Sequence, residues 1–250
     1  MKLGYYDYKH NQQSFCHGQK DARILVVNGS IWRLRGRNVL SATLVHFLDH
    51  DDAWDAAVGM KRQGTKVSSL TWSLQKPEGI PILPGPTEWD LKTPQETWAT
   101  GERGRLHRKA LRDYQIVTVT LEEALEVFND WVSWASERHF MVFKGHYHRW
   151  IVDHFSAQGV FETSLVGIAK DGKLLAVFGA EKHPTDDEWN VVVAKHRKEI
   201  KGRDMWYRGI SAICPSTKLV RLSSTADQLK MQLGADAVPS WKFDFSKLET

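Results

Sequence analysis

Two apolar runs joined by a short polar turn constrain the fold of this chain more than any other feature of its sequence. The runs are Leu165–Ala169 and Leu174–Ala180, and Lys170–Lys173 joins them with the order Lys-Asp-Gly-Lys. Asp-Gly favours a type I′ turn, because both central residues of that turn need positive φ angles. We therefore predict an antiparallel hairpin here and a further strand over Trp189–Val193.

A basic segment follows this further strand. Lys195–Arg203 carries five lysine or arginine residues and one glutamate, and a helical pattern begins directly after it. Backbone N–H groups at a helix N-terminus bind anionic oxygens, and basic side chains strengthen that binding. The segment is therefore a candidate phosphate site, with a solvated charged loop as the alternative. Its candidate cofactor-binding residues are Lys198, Lys201, Gly202 and Arg203.

A second basic segment, from Gly101 to Arg112, has basic side chains at helical spacing. Such side chains lie along one helix face, which suits contact with a nucleic-acid backbone. The alternative is a surface helix whose arginines pair with acids. The candidate nucleic-acid-binding residues are Arg105, Arg108, Lys109 and Arg112.

Composition and motifs limit the class of protein. Of the 250 residues, 42% are hydrophobic and 26% charged, as in soluble globular proteins. The sequence has no apolar run of membrane-spanning length and no P-loop, dinucleotide-binding or serine-hydrolase motif. Its two cysteines, Cys16 and Cys214, form no disulfide framework and no zinc ligand set. We predict a cytoplasmic protein without a metal site, although histidines gather at His139, His146, His148 and His154.

A proline-rich connector divides the chain. Residues 75–94 contain five prolines, which exclude a regular helix and predict a link between two lobes, 1–95 and 96–250. The first lobe shows a hairpin turn at Asn28 and a helix that begins near Asp51.

In the second lobe, helices and strands alternate. Thr97–Tyr114 is predicted as the basic helix, Ile116–Val119 as a strand, and the segment after Thr120 as a helix that begins with a capping box. A second, less regular helix is predicted over Lys144–Ala157. Together with the hairpin, this order predicts an α+β (mixed α/β) fold with a mixed central sheet.

Acidic residues near the end of the hairpin are candidate general bases. A carboxylate can remove a proton from a nucleophile, but most acids in turns merely solvate a loop. The acids concerned are Glu181, Asp186, Asp187 and Glu188.

The order of three segments carries a family resemblance. The segments are the basic helix Arg105–Arg112, the hairpin Val166–Gly179, and Leu222–Ala235, in which a small polar turn precedes a short helix. In this order they resemble the GNAT superfamily, particularly its Fem-like branch of acyl and aminoacyl transferases, over a little more than half of the chain. The resemblance implies a GNAT-like mixed sheet flanked by helices, with Phe243–Phe245 as its last strand. It also implies that the first lobe is a degenerate GNAT half.

The resemblance implies an acyl donor, but the phosphate loop departs from the family pattern. The GNAT loop reads Arg/Gln-x-x-Gly-x-Gly/Ala, whereas Glu199–Asp204 begins and ends with an acid. The expected donor is an acyl-CoA such as acetyl-CoA, or the aminoacyl-tRNA that some Fem-like members take instead.

The resemblance also implies a mechanism. An amine must lose a proton before it attacks an acyl carbon; Glu181 is the candidate base and Tyr207 the candidate proton donor. Backbone N–H groups of Phe178, Gly179 and Ala180 would hold the acyl oxygen. The expected function is acyl or aminoacyl transfer to an amine acceptor, for which an amino-modified nucleic-acid base is one candidate. The alternative is a non-catalytic nucleic-acid-binding protein on a degenerate GNAT scaffold.

Overall fold

Backbone contacts divide the chain into two compact units. The first unit combines Met1–Thr87 with Val238–Thr250, and the second comprises Glu88–Ala237. The sequence-based division left the last residues in the second lobe, whereas the structure assigns Val238–Thr250 to the first unit. The structure is a computed structural model, and it describes residues 23–36, 41–47, 49–69, 72–137, 155, 162–182, 187–222 and 227–248.

The first unit contains a four-stranded sheet with the order β1-β2-β3-β4. The predicted turn at Asn28 is confirmed: Asn28 and Gly29 have φ angles of 47° and 74°. The first three strands are antiparallel, and β4 is parallel to β3 because a helix, α1, connects them. That this unit is a degenerate GNAT half stays a prediction. The elements are β1 (Arg23–Val27), β2 (Ser30–Arg35), β3 (Ser41–His46), α1 (His50–Arg62) and β4 (Lys66–Ser69).

The C-terminal segment completes the core of this unit. Strand β13 (Trp241–Phe243) pairs antiparallel with β5 (Ile82–Pro84), and Phe243 and Phe245 stack with their ring centroids 5.4 Å apart. The prediction that Phe243–Phe245 forms the last strand of the second lobe is therefore wrong. The rings pack instead with apolar residues of β2, β3 and α1, since those elements leave an apolar surface to cover.

The second unit is built on a seven-stranded sheet with the order β12-β6-β11-β10-β9-β8-β7. The hairpin β8–β9 is confirmed, with φ angles of 51° at Asp171 and 74° at Gly172. Strand β6 lies inside this sheet, so the proline-rich connector is not a simple linker. The strands are β6 (Glu88–Lys92), β7 (Gln115–Val117), β8 (Glu162–Lys170), β9 (Lys173–Lys182), β10 (Glu188–His196), β11 (Leu219–Arg221) and β12 (Asp236–Val238).

Helices cover both faces of this sheet. One face packs against α4, which begins with the predicted capping box: Thr120 Oγ1 accepts the N–H of Glu123, and Glu123 Oε2 accepts the N–H of Thr120. The other face packs against α5, and α3 and α6 in turn pack against α5. The predicted α+β fold with a mixed sheet is confirmed. The helices are α2 (Pro94–Thr97), α3 (Gly101–Asp113), α4 (Leu121–Glu137), α5 (Gly202–Ile213) and α6 (Asp227–Leu233).

A glycine lets α5 approach the sheet closely. A Cβ atom at Gly209 would lie 2.2 Å from Cγ of Phe178, a distance that real atoms do not tolerate. Phe178 therefore fills the space beside the helix backbone, and its ring also packs edge-on against Trp206 at 5.4 Å.

Two predictions fall outside the described residues. These are the helix over Lys144–Ala157, of which the structure describes Phe155 alone, and the four clustered histidines. Of the helices that the structure does describe, none combines the length and apolar character needed to span a membrane.

Candidate functional site

Two parallel strands separate in the middle of the second sheet. Glu188–Asn190 of β10 pairs with β11, and within the described chain the pairing ends at Arg221. The register of β10 against β9 then shifts between Val191 and Val193, which marks a β-bulge. After β11, the N–H of Leu222 donates to the carbonyl of Trp89 in β6 (2.8 Å). Among the described residues, no strand pairs with this edge of β10 beyond Asn190, which leaves a gap there. Gaps at the carboxyl ends of parallel strands are common ligand sites.

A row of polar residues crosses the sheet beside this gap. Directly paired residues on neighbouring strands point to the same face of a sheet. The face here is the one that α4 covers, since Val177 and Val193 of the same face pack in the apolar cluster of α4. The polar row consists of Thr163, Glu181, Asn190, Arg221 and Asp90, on strands β8, β9, β10, β11 and β6 in turn.

The centre of the polar row is buried, and the row carries charge. Glu181 has no exposed surface, and Asn190 is 5% exposed. Arg221 joins two carboxylates: its Nε donates to Glu188 Oε2 (3.2 Å), and its Nη1 lies 3.6 Å from Asp90 Oδ1. Glu188, a candidate base predicted from the sequence to lie in a turn, is instead buried as the first residue of β10. Burying a charged group costs folding free energy, because the group loses its contact with water. Clusters of buried charged groups are therefore often found at binding or catalytic sites.

The two predicted catalytic residues lie on opposite faces of the sheet. Phe178 of β9 packs against α5, and strand alternation turns Glu181, three residues later, to the α4 face. Tyr207 belongs to α5, on the other face. The sheet therefore separates Glu181 from Tyr207, and they cannot act on one reacting group.

Tyr207 is enclosed by aromatic residues. It has no exposed surface, its ring packs edge-on against Trp98 at 4.8 Å, and burial raises the pKa of its phenol. Its Oη has no hydrogen-bond partner in the part of the chain that the structure describes.

The predicted oxyanion-binding residues also need correction. Phe178, Gly179 and Ala180 lie in β9, which pairs with β8 on one edge and β10 on the other. Backbone N–H groups of an interior strand serve the sheet ladder, so they are not available to an acyl oxygen. The edge of β10 beyond Asn190, which faces the gap, is the better source of such groups.

The first half of the basic segment anchors to α4. Lys195 Nζ lies 3.8 Å from the ring centroid of Trp131, and burial lowers the pKa of Lys195 to about 8. Arg197 Nε lies 2.7 Å from Asp130 Oδ2. Lys198 is exposed. Lys195 and Arg197 are therefore committed to packing and pairing, and the ligand-binding prediction rests on the second half of the segment.

That second half forms the start of α5. Lys201 is the N-cap and makes no side-chain cap, and Gly202 and Arg203 are the first helical residues. Arg203 lines a cleft of about 600 Å³ together with Arg103 and with Gly101, at the start of α3. The cap of α3, Thr100, likewise makes no side-chain hydrogen bond to the helix. Two helix starts and two arginines thus meet at one cleft, an arrangement suited to phosphate. Glu102 also lines the cleft, Arg103 Nε donates to the carbonyl of Gln232 (3.0 Å), and Arg203 Nε lies 3.5 Å from Asp204 Oδ1, so a phosphate would share these arginines with groups of the protein.

The basic residues of α3 pair locally. Arg105 forms a bidentate pair with Glu102, Arg108 donates to the carbonyl of Ala99 (3.2 Å), and Arg112 pairs with Asp113. These residues and Lys109 are exposed. Nucleic-acid binding by this face stays a prediction.

Sequence reasoning missed most of the polar row and also His196. The signal was present: in Glu188-Trp-Asn190, polar residues alternate with an apolar one, which is the period of a strand with one polar face. His196 is half-buried at the end of β10, its Nδ1 donates to the carbonyl of Arg197 (2.8 Å), and burial lowers its pKa.

This architecture is a GNAT-like fold in its Fem-like form: a mixed sheet whose two parallel strands separate beside the start of a helix, with helices on both faces. Solved structures share it. FemX superposes with a TM-score of 0.64 at 11% identity, over 99% of this chain and 94% of its own. A conserved protein of unknown function from Bacteroides thetaiotaomicron VPI-5482 gives 0.66 at 12% identity, over 93% and 88%. L-PGS from Bacillus licheniformis gives 0.59 at 8% identity, over 88% and 83%.

Sequence comparison adds nothing to this likeness. No model of a known protein family matches the chain, and no curated protein matches it. At identities this low, the structural likeness shows a shared fold, and the chemistry has to be argued from the residues of this chain.

Proposed function

We propose that this protein is a transferase that moves an acyl or aminoacyl group to an amine. The observation that supports this most is the buried carboxylate of Glu181 in the polar row, beside the gap between β10 and β11. The gap leaves an edge of β10 beside which an acyl group can bind, and the row offers a base for an amine. The chain shares its fold with FemX, in agreement with the Fem-like resemblance of its sequence.

The reaction follows from this placement. Backbone N–H groups on the β10 edge beyond Asn190 hold the acyl oxygen in the gap. Glu181 takes a proton from the amine, the nitrogen attacks the acyl carbon, and a C–N bond replaces the C–S bond of a thioester or the C–O bond of an ester. The leaving thiolate or alkoxide takes up a second proton from the same nitrogen, and Glu181 returns the first proton to solvent. Tyr207, on the other face, has no part in this path.

The donor is proposed to be an acyl-CoA, such as acetyl-CoA, or an aminoacyl-tRNA. Both carry phosphate groups, for which the cleft lined by Arg103 and Arg203 is suited. The acidic start of the loop, at Glu199, is paired with Lys173 and lies outside the cleft lining. The loop therefore lacks the arginine or glutamine that begins the family pattern, but this difference does not change the residues that line the cleft.

Two measurements test the proposal. Acetyl-CoA and a mixed aminoacyl-tRNA pool are offered with a panel of amines, and transfer is followed by mass spectrometry, while donor binding is followed as a rise in melting temperature. Glu181→Gln should lower turnover by about 100-fold or more and leave the donor-induced rise unchanged. The matched control is Glu162→Gln, on the exposed first residue of β8, which should leave both unchanged. Full activity in Glu181→Gln would remove Glu181 as the base; no transfer and no stabilisation with either donor would overturn the function.

A non-catalytic nucleic-acid-binding role is the second candidate. The exposed positions of Arg108 and Lys109 on α3 favour it. It predicts binding of DNA or RNA that weakens steeply with salt, without transfer from any donor, and that a Lys109→Glu variant loses affinity.

A further inference from the structure

The polar row holds one buried group that the proposed reaction has not used. Asn190 is 5% exposed, and its Oδ1 has no hydrogen-bond partner among the described residues. It lies between Glu181 of β9 and Arg221 of β11, and it is the last residue of β10 that pairs with β11. Asn190 therefore lies next to both the candidate base and the gap.

An amide oxygen in this position needs a donor. A buried polar atom without a partner is destabilising, and such atoms in native proteins commonly mark a ligand or a functional site. The oxygen can only accept, so the matching ligand group carries an N–H or O–H. The charges on this face indicate which group binds. The carboxylates of Asp90, Glu181 and Glu188 share the face with the guanidinium of Arg221 and the ammonium of Lys195, and this excess of carboxylates favours a positively charged ligand group.

We propose that Asn190 Oδ1 binds the amino group of the acceptor, and that the acceptor is an aliphatic amine that arrives as an ammonium ion. The catalytic part of this inference rests on the proposed function; the binding part can be tested alone. The exocyclic amine of an ordinary nucleobase is uncharged near neutral pH and does not fit, whereas an amino group on an alkyl chain does.

The hydrogen bond between the amine and Asn190 Oδ1 also orients the nitrogen for attack. One proton of the ammonium passes to Glu181, and a second N–H stays bound to Asn190 Oδ1. The lone pair left by the first proton faces Glu181, and the amine turns about its remaining N–H···O contact with Asn190 until this lone pair reaches the acyl carbon in the gap, so that Asn190 limits the orientations that the nitrogen can adopt. The amide product has lost the positive charge and two of the three N–H groups of the ammonium, so the row holds it less tightly than the substrate.

Binding is tested by calorimetric titration with n-butylammonium and with n-butanol, a neutral probe of the same length. Wild type should bind the ammonium and discriminate against the alcohol. Asn190→Leu, which removes the oxygen, should weaken ammonium binding by about tenfold or more. Asn190→Asp keeps an oxygen in the same place and should bind the ammonium at least as tightly as wild type. Melting curves establish that each variant is folded.

Several outcomes overturn the inference. They are equal binding of butanol and butylammonium, no loss in Asn190→Leu, and equal loss in the Leu and Asp variants, which would show that the oxygen is not what matters. In transfer assays, Asn190→Leu should raise the KM for the amine and leave the donor-induced melting shift unchanged. An unchanged amine KM in an active Asn190→Leu enzyme refutes the inference and leaves the proposed function standing. Ammonium binding that depends on Asn190, without transfer from any donor, supports the inference while the proposed function fails.

Discussion

Replacing Lys195 by methionine should stabilise the protein near neutral pH. The Lys195 ammonium is buried against α4, and that burial lowers its pKa from the ordinary 10.5 to about 8. The folded protein therefore holds this proton less tightly than the unfolded chain. The resulting cost is complete below about pH 8, where both states are protonated, shrinks as the pH rises, and is absent above about pH 10.5.

The size of the effect follows from the two pKa values. A difference between 10.5 and about 8 corresponds to about 3 kcal/mol at 1.36 kcal/mol per pH unit. The cation–π contact with Trp131, at 3.8 Å, offsets about 1–2 kcal/mol of this cost. Methionine fills a similar volume and packs well on an aromatic ring. We therefore expect Lys195→Met to raise the free energy of unfolding by about 1–2 kcal/mol at pH 7, and the gain to vanish near pH 10.5.

Urea unfolding at pH 7 and at pH 10 measures this directly, with the free energy extrapolated to water at each pH. Lys109→Met is the matched control, because Lys109 is exposed on α3, and its effect should be small and similar at both values. A Lys195→Met variant that is less stable than wild type at pH 7, or whose gain is the same at both pH values, would refute the argument that burial of the ammonium costs stability here.

Three further substitutions test local packing. Gly209→Ala places a methyl group 2.2 Å from Phe178, and urea unfolding should show a loss of about 2–3 kcal/mol; an unchanged midpoint would contradict the close approach of α5. Gly59→Ala, at an exposed position of α1 with open space around it, should instead stabilise by about 0.5–1 kcal/mol, and a loss there would contradict the open surroundings. Thr120→Ala removes the capping box of α4 and should cost about 1 kcal/mol in the same assay, whereas no change would show that the cap is replaced by water.

Short-range signals predicted the parts of the fold that short-range physics controls. The turns at Asn28 and Asp171 depend on positive φ angles over two adjacent residues, and both formed as predicted. The capping box at Thr120 depends on residues three apart and is also present. Glu181 was found as a candidate because it ends a hairpin strand, and it is part of the polar row.

Features that depend on strand pairing could not be derived in this way. The residues around Asp90 lie in the segment with five prolines and were assigned to a connector, yet pairing with β11 places them inside a sheet. Asn190 becomes informative only when its register against Glu181 and Arg221 is known. The separation of Tyr207 from Glu181 likewise depends on which face α5 covers, and nothing in the local sequence specifies that.

The position of β13 in the first unit affects the order in which the two units can fold during synthesis. Because β13 pairs with β5, the first unit is discontinuous in sequence, and the whole of Glu88–Ala237 is inserted between its two parts. During synthesis on the ribosome, the inserted unit is complete before β13 has emerged. It can therefore fold while the first unit still lacks its last strand and the two stacked phenylalanines, Phe243 and Phe245, that close its core.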